Sequence, residues 1–412
     1  MKKLAKEAKT ASKKLMSLDH TTRKKILLEM AENLLKRKQD IVKANELDLA
    51  FAEESNLNAS MKDRLKLNES RIEEMVQGVR SIAEQEEVVG IFHKEFTDKA
   101  GLQIKRQRIP LGVILMIFES RPNVVVDCAA LAIKSSNAII LKGGKEAKNS
   151  NEILGEIIQE SISKYIPKES VQVLASDNRK VIDELLELAE FIDVVIPRGG
   201  EKLIHHVHEH AKMPVIAHFQ GLCHMYLDKD ANMEKAIKLV LNAKTQRTGV
   251  CNAIETLLVH KELVGKIAKD LTKALHEKKT ELRTDKTFME HAGVELKLAT
   301  DEDWATEYLD NILSIKTVDS LEDAINHIDT YGSHHTEVIV SENQAICEKF
   351  LSSVDASCVM VNASSRFNDG GQLGLGAELG ISTTKLHAYG PMGAEQMTTT
   401  RFVIIGDGHI RG

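Results

Sequence analysis

Of the five cysteines in the chain, one stands where a thiol can react. Cys251 lies in Gln246-Arg247-Thr248-Gly249-Val250-Cys251-Asn252-Ala253, a glycine-turned loop. The loop leaves Met233 to Lys244, with Ala236, Leu239, Val240 and Ala243 at helical spacing, and enters Thr256 to Val259, which reads as a strand. A junction of this kind is where rigid scaffolds commonly present functional side chains. A thiol held there can attack an electrophilic carbon and carry it as a covalent intermediate. Free cysteines are more often small buried hydrophobes, and the other four fit that description better. Cys128 falls in the apolar helical run Val124 to Ile133, Cys347 on a helix starting near Glu342, and Cys358 in the strand-like Ser357 to Val361. Cys223 precedes His224, but in the strand-like Leu222 to Leu227 neighbouring side chains face opposite ways, so the two do not form a nucleophile and base.

Anion chemistry is suggested at two glycine turns. The apolar strand Phe191 to Ile196 runs into Pro197-Arg198-Gly199-Gly200 and a helix from Glu201, so backbone N–H groups and the positive helix end converge on one spot suited to phosphate. A second strand, Ala138 to Leu141, ends in Lys142-Gly143-Gly144, which puts a cation beside a tight turn. Both turns fall at the carboxyl edge expected of one sheet, where open α/β sheets bind ligands. No Gly-x-Gly-x-x-Gly fingerprint is present, and a strand followed by two glycines is by itself often only a turn.

The elements carrying these residues alternate. Gly112 to Phe118, Ala138 to Lys142, Val171 to Leu174 and Ile192 to Pro197 read as strands, and Val124 to Ser135, Ser150 to Lys164, Lys180 to Ala189 and Glu201 to His210 as helices between them. That alternation predicts βαβ units and a mostly parallel sheet covered on both faces. A second α/β series runs from about Ala231 to Ala363. Up to about Gln85 the periodicity is helical, with Ile26, Leu27, Met30, Leu34 and Ile41 on one stripe and Met75, Val79 and Ile82 on another. Between Val88 and Ile109 the pattern alternates around Asp98-Lys99-Ala100-Gly101, which predicts a hairpin. Arg401 to Ile405 reads as a distant strand able to pair with it, and such an arm can join a neighbour's sheet.

Composition narrows the function classes. At 412 residues the chain can build two or three cored domains, and five cysteines without paired spacing argue for a reducing compartment. A net charge of −6 with the signs mixed, and 4% aromatic residues, leave neither the field nor the stacking platforms of a nucleic-acid binder. No apolar run is long enough to cross a bilayer, so a cytoplasmic protein without membrane partners is expected. His205, His206, His208 and His210 invite a metal reading, but no third ligand is fixed by spacing and no metal is expected. The stretch Val318 to Ile339 gathers His327, Tyr331, His334, His335, Thr336 and Glu337. Asn362 to Gly371 forms a long glycine-bearing loop, in which Arg366 could clamp a carboxylate or phosphate.

Taken together, Phe118-Glu119-Ser120-Arg121-Pro122-Asn123, Leu141 to Gly144, Pro197 to Gly200, Thr248 to Asn252, His335-Thr336-Glu337 and Ser365 to Gly370 resemble, in order and over nearly the whole chain, the γ-glutamyl phosphate reductase (glutamate-5-semialdehyde dehydrogenase) family of the aldehyde dehydrogenase superfamily. The resemblance implies an aldehyde-dehydrogenase-like α/β fold with a Rossmann-type cofactor domain, an α/β catalytic domain and a small β oligomerisation arm. Their expected bounds are residues 1–230 with the hairpin arm at about 95–109, then 231–363, then a return to the cofactor domain and the oligomerisation strand over 364–412. It further implies NADPH-dependent reduction of L-glutamyl 5-phosphate to L-glutamate 5-semialdehyde and phosphate in proline biosynthesis, by a homo-oligomer that is a candidate partner of glutamate 5-kinase.

Residue by residue, the resemblance makes Cys251 the nucleophile, Lys142, Gly199 and Gly200 binders of the cofactor's adenosine and pyrophosphate, and Glu307 the group that holds the nicotinamide ribose. Asn123 is expected as an oxyanion donor beside the Cys251 N–H. The neighbouring Arg121 either takes that place or grips the phosphate, and Arg366 and Asn368 are expected to contact the substrate. Aldehyde-oxidising relatives have a general-base glutamate where Pro214 to Gly221 carries Ala217, which suits a reductase that must keep water off a thioester. Rival readings are an acylating enzyme taking a coenzyme A thioester, a scaffold that has lost its chemistry, and a metal protein built on the histidine cluster.

Overall fold

The computed structural model describes residues 1–175, 178, 180–217 and 219–411, with the side chains of residues 59 and 60 left aside. His218, within the stretch weighed for a general base, lies outside the described residues. The chain forms two compact units: Met1–Ala217 with Gly374–Gly380 and Pro391–Gly412, and His218–Leu373 with Ile381–Gly390. No described helix is long and apolar enough to cross a membrane.

The first unit opens with helices Lys2–Leu15, His20–Lys36, Lys38–Glu54, Ala59–Leu65 and Glu69–Glu84. Side-chain caps start three of them: Asp19, Asn58 and Asn68 accept the N–H of Thr22, Met61 and Arg71. The stripes read from the sequence are the buried faces, with Ile26, Leu27, Met30 and Leu34 at 0% exposure. A four-stranded parallel sheet follows, in the spatial order Val171–Leu174, Ala138–Lys142, Val113–Phe118, Val194–Arg198. Its central strands are continuous apolar runs because helices cover both faces. The order reverses between Val113–Phe118 and Val194–Arg198, and this switch point opens a crevice at the carboxyl ends.

The predicted arm is present. Phe92–Thr97 and Gln103–Pro110 pair antiparallel about Asp98, whose side chain accepts the N–H of Ala100 and Leu102, and Thr398–Ile405 adds a third strand along Gln103–Pro110.

The second unit holds a seven-stranded parallel sheet in the order Lys297–Leu298, Glu281–Thr284, Ile312–Val318, Ile254–His260, Cys223–Leu227, Thr336–Val340, Cys358–Val361. Two apolar clusters cover its faces, one built with helices Met233–Thr245 and Lys261–Glu277, the other with Leu321–Tyr331 and Gln344–Ser353. The break between units therefore comes after Ala217 rather than at residue 230, because Cys223–Leu227 is an inner strand of the second sheet. The return to the first unit comes at Gly374 rather than at residue 364, because Asn368 is packed into the second unit.

Candidate active site

Helix Met233–Thr245 delivers the chain to the Cys251 loop, and strand Ile254–His260 takes it away. Lys244 Nζ donates to Glu255 Oε2 at 2.6 Å with both side chains at 0% exposure, so a buried ion pair closes the base of the loop. Burial pushes Glu255 up to about 7 and Lys244 down, while their mutual attraction opposes both changes. The other Glu255 oxygen accepts the N–H of Leu309, which ties the Glu307 loop to the same anchor.

Cys251 itself is partly exposed, whereas Cys128, Cys223 and Cys347 are buried. Its surroundings are fixed by backbone contacts. The Cys223 thiol donates to the Cys251 carbonyl at 3.0 Å, and Ser365 Oγ donates to the Asn252 carbonyl at 2.6 Å. Asn252 Nδ2 donates to the Asn368 carbonyl at 2.9 Å. Gly221 passes so close that a Cβ placed on it would lie 2.5 Å from Cys251 Cβ and 2.7 Å from Cys251 Cα, so only glycine fits there without a shift. Arg366 is held by Nε donating to Gln246 Oε1 at 2.8 Å and lies within electrostatic reach of Cys251 and Cys223. A guanidinium there favours negative charge on the Cys251 sulfur.

The nucleophile loop, Cys223, Glu307 and His335 all precede or begin strands, so they gather at the amino-terminal edge of the second sheet. Asn368 is turned inward: at 0% exposure its Nδ2 donates to Thr336 Oγ1 at 2.8 Å, so it braces the site where a substrate contact was expected. The Thr336 hydroxyl also meets His335 Nδ1 at 2.7 Å, and His335 Nδ1 lies 3.5 Å from Cys223 Sγ. His224 leaves the opposite face of its strand and meets Glu337 at 3.0 Å. Burial holds Glu337 well above the carboxylate range and brings His224 down to about 3, so a neutral acid and a neutral imidazole share this buried contact.

In the first unit, the crevice at the switch point has a volume of about 760 Å³ and is lined by Phe118, Glu119, the turn from Lys142 to Glu146, Lys202 and His206. Lys142 is 5% exposed and donates to the Gly143 carbonyl at 2.5 Å. The Gly200 N–H at the start of helix Glu201–His210 donates to Glu119 Oε2 at 2.8 Å, so a carboxylate already occupies one seat of the expected anion site. The crevice's size, lysines and open helix end fit a dinucleotide, with Glu119 as a side chain that must share that seat. Ser120, at φ +46, is a strained turn residue whose N–H and hydroxyl both donate to Glu146. The turn leads through half-buried Arg121 to Asn123, whose Nδ2 donates to Asp127 at 2.9 Å, and burial pushes Asp127 up to about 6.

His206 pairs with Asp183 at 2.7 Å and His210 with the His206 carbonyl; among the described residues no group of three metal-ligating side chains forms. Sequence reasoning missed Gly221, the Lys244–Glu255 pair and the bracing role of His335 and Thr336.

Residues 1–292 match the model of the "Aldehyde dehydrogenase family". The chain is 47% identical over 412 residues to the gamma-glutamyl phosphate reductase of a Nitratiruptor species, covering 100% of both. Identity to the gamma-glutamyl phosphate reductase of Halothermothrix orenii is 46% over 409 residues, covering 99% of this chain and 97% of that one. The crystal structure of gamma-glutamyl phosphate reductase from Thermotoga maritima superposes with a TM-score of 0.95 at 40% identity, covering 100% and 99% of the two chains. An acetylating aldehyde dehydrogenase from Geobacillus thermoglucosidasius, at 19% identity and a TM-score of 0.73 over 100% and 97%, shares the fold.

Proposed function

Because the chain belongs to the aldehyde dehydrogenase family, in its γ-glutamyl phosphate reductase branch, we propose that it reduces L-glutamyl 5-phosphate to L-glutamate 5-semialdehyde with NADPH in proline biosynthesis. The observation that carries the reading is Cys251, partly exposed on a loop anchored at both ends beside Arg366. The Cys251 thiolate attacks the acyl carbon, the bond to the phosphate oxygen breaks, and phosphate leaves a glutamyl thioester on sulfur. A reduced nicotinamide, when bound, would supply the hydride that turns the thioester into the Cys251-linked thiohemiacetal from which the aldehyde is released. Breakdown of the resulting thiohemiacetal returns the Cys251 thiol. The Cys251 N–H stabilises the growing oxyanion, a contribution of about 3 kcal/mol for one well-aimed donor.

Lys142, Gly199 and Gly200 hold the dinucleotide in this reading, and the extra cations Lys145 and Lys202 on the same crevice support a cofactor carrying an additional phosphate. Glu307 keeps its place as the nicotinamide-ribose group and Arg366 as the clamp on the substrate's anionic end. Asn123 retains one amide hydrogen beyond its bond to Asp127 for a second oxyanion donor, and Arg121 remains the alternative. Phe92, Phe96, Phe402, Ile404 and Ile405 on the arm are 48–59% exposed, which supports burial against a second copy of the chain. Acyl phosphates hydrolyse readily, which favours direct handover from glutamate 5-kinase in the cytoplasm.

The test is the reverse assay with glutamate semialdehyde, phosphate and either NADP or NAD. Phosphate-dependent reduction of NADP, lost in Cys251→Ala, is expected; coenzyme A replacing phosphate would shift the reading to an acyl-coenzyme A enzyme, and substantial turnover by the alanine variant would end it.

A further inference from the structure

The second sheet is irregular beside the nucleophile. Cys223 pairs with Ile254, but the next residue, His224, pairs with Thr256, so Glu255 is left out of the register as a bulge. Bulges in parallel pairs are rare and often re-aim a side chain next to an active site. Here the bulged residue is the one that reaches Lys244 under the loop. Cys223 begins the neighbouring strand at the same edge, and its side chain contacts the Cys251 carbonyl.

We propose that Cys223 is a positioning residue for the nucleophile, a neutral thiol whose S–H fixes the Cys251 carbonyl and so the backbone from which the Cys251 sulfur projects. The proposal rests on Cys251 being the reactive cysteine. Three observations support it. The Cys223 thiol is at 0% exposure and lies 3.0 Å from the carbonyl it serves. Its other side is bounded by His335 Nδ1 at 3.5 Å, which is held in turn by Thr336, so the thiol has a defined direction. Burial, the largest cause, keeps the thiol protonated, which makes Cys223 a donor and disqualifies it as a second nucleophile.

The same short segment acts twice on Cys251. Gly221 bounds its Cα and Cβ, and Cys223 bounds its carbonyl. Together these contacts leave the peptide that follows the nucleophile one orientation. The Asn252 carbonyl, held by Ser365, prevents the next peptide from compensating.

The experiment compares wild type, Cys223→Ala and Cys223→Ser in the reverse assay, with thermal midpoints measured in parallel. In Cys223→Ala the loss of one aligned hydrogen bond is expected to lower kcat about tenfold while KM values stay within about twofold. Cys223→Ser, which keeps a donor, is expected to recover most of that loss. The pH profile should keep its shape in both variants, since Cys223 does not titrate in the working range. An alanine variant with wild-type kcat, or a folded serine variant no better than alanine, overturns the proposal, as does a shifted pH profile. Iodoacetamide labelling of Cys251 in the ligand-free proteins, followed by peptide mass spectrometry, separates this from a failure of the proposed function. If wild type shows no turnover, a labelling rate that changes in Cys223→Ala and returns in Cys223→Ser still supports positioning, and equal rates in all three proteins overturn it.

Discussion

Replacing Gly221 with alanine tests how tightly the nucleophile is held. The added methyl would lie 2.5 Å from Cys251 Cβ, 2.5 Å from the Cys251 carbonyl oxygen and 2.7 Å from Cys251 Cα. Ordinary contact between such atoms needs about 3.5 Å, so the two segments must part by about 1 Å. None of the opposing atoms is the end of a flexible side chain that could swing aside. The Cys251 loop is also tethered below by Lys244–Glu255 and alongside by Ser365, so the strain falls on the reactive residue itself. A misplacement of about 1 Å in a reacting group costs on the order of 100-fold in rate, or about 2.7 kcal/mol in the barrier.

We therefore expect Gly221→Ala to lower kcat by about two orders of magnitude and to destabilise the protein by about 1–3 kcal/mol, the usual cost of overpacking. The KM for dinucleotide should change far less than kcat, because Lys142, Gly199 and Gly200, its proposed adenosine and pyrophosphate binders, belong to the other unit. Steady-state kinetics in the reverse direction and urea unfolding provide both readouts. Gly265→Ala is the control: it lies in helix Lys261–Glu277, its Cβ would meet only the His291 ring at 3.6 Å, and it should stabilise by about 0.5–1 kcal/mol. If Gly221→Ala keeps kcat within about threefold of wild type, the inference that this glycine sets the nucleophile's position is wrong.

Lys244→Met leaves Glu255 buried without its cation, which should cost about 3–5 kcal/mol in urea unfolding, much of it regained in Lys244→Met/Glu255→Leu; a single variant as stable as wild type would show that the pair does not anchor the loop. Lys142→Ala should raise the KM for dinucleotide about tenfold with kcat nearly kept, and a fall in kcat alone would count against a binding role. Asp127 is raised to about 6 by burial, from 3.8, so stability linked to its protonated form is complete below about pH 4 and lost as pH rises through about 6. Asp127→Asn should therefore gain stability over wild type above about pH 6, at most about 3 kcal/mol, and gain little below about pH 4; an equal effect at both ends would contradict that origin.

Much of this architecture can be read directly from the chain. Val113–Phe118 and Ala138–Lys142 are apolar runs bounded by turns, as strands buried on both faces must be. The Cys251 loop is visible because a helical period gives way to a strand around a glycine. The pairing of Thr398–Ile405 with Gln103–Pro110 is legible as a lone strand pattern far along the chain that can add to the free edge of a predicted hairpin.

The unit boundary is not legible, since Leu222 to Leu227 would suit an inner position in either sheet and nothing local says which. Asn368 looks like a loop residue facing substrate, but its environment is set by Thr336 and Asn252, distant in sequence. Lys244 and Glu255 are eleven positions apart on different elements, and only closure of the intervening loop makes them neighbours. Gly221 gives no sign either, because its requirement comes from a close approach to Cys251 rather than from a turn of its own.

The discontinuity of the first unit has a consequence for biogenesis. Its arm needs Thr398–Ile405 to complete a sheet begun at Phe92, so during vectorial synthesis the third strand emerges after every other described strand. The second unit, with its own apolar clusters and nearly all of its chain in one stretch, can condense while that strand is still inside the ribosome. Until then the Gln103–Pro110 edge presents unpaired backbone groups to the surroundings, and chains truncated before Thr398 should be the aggregation-prone species.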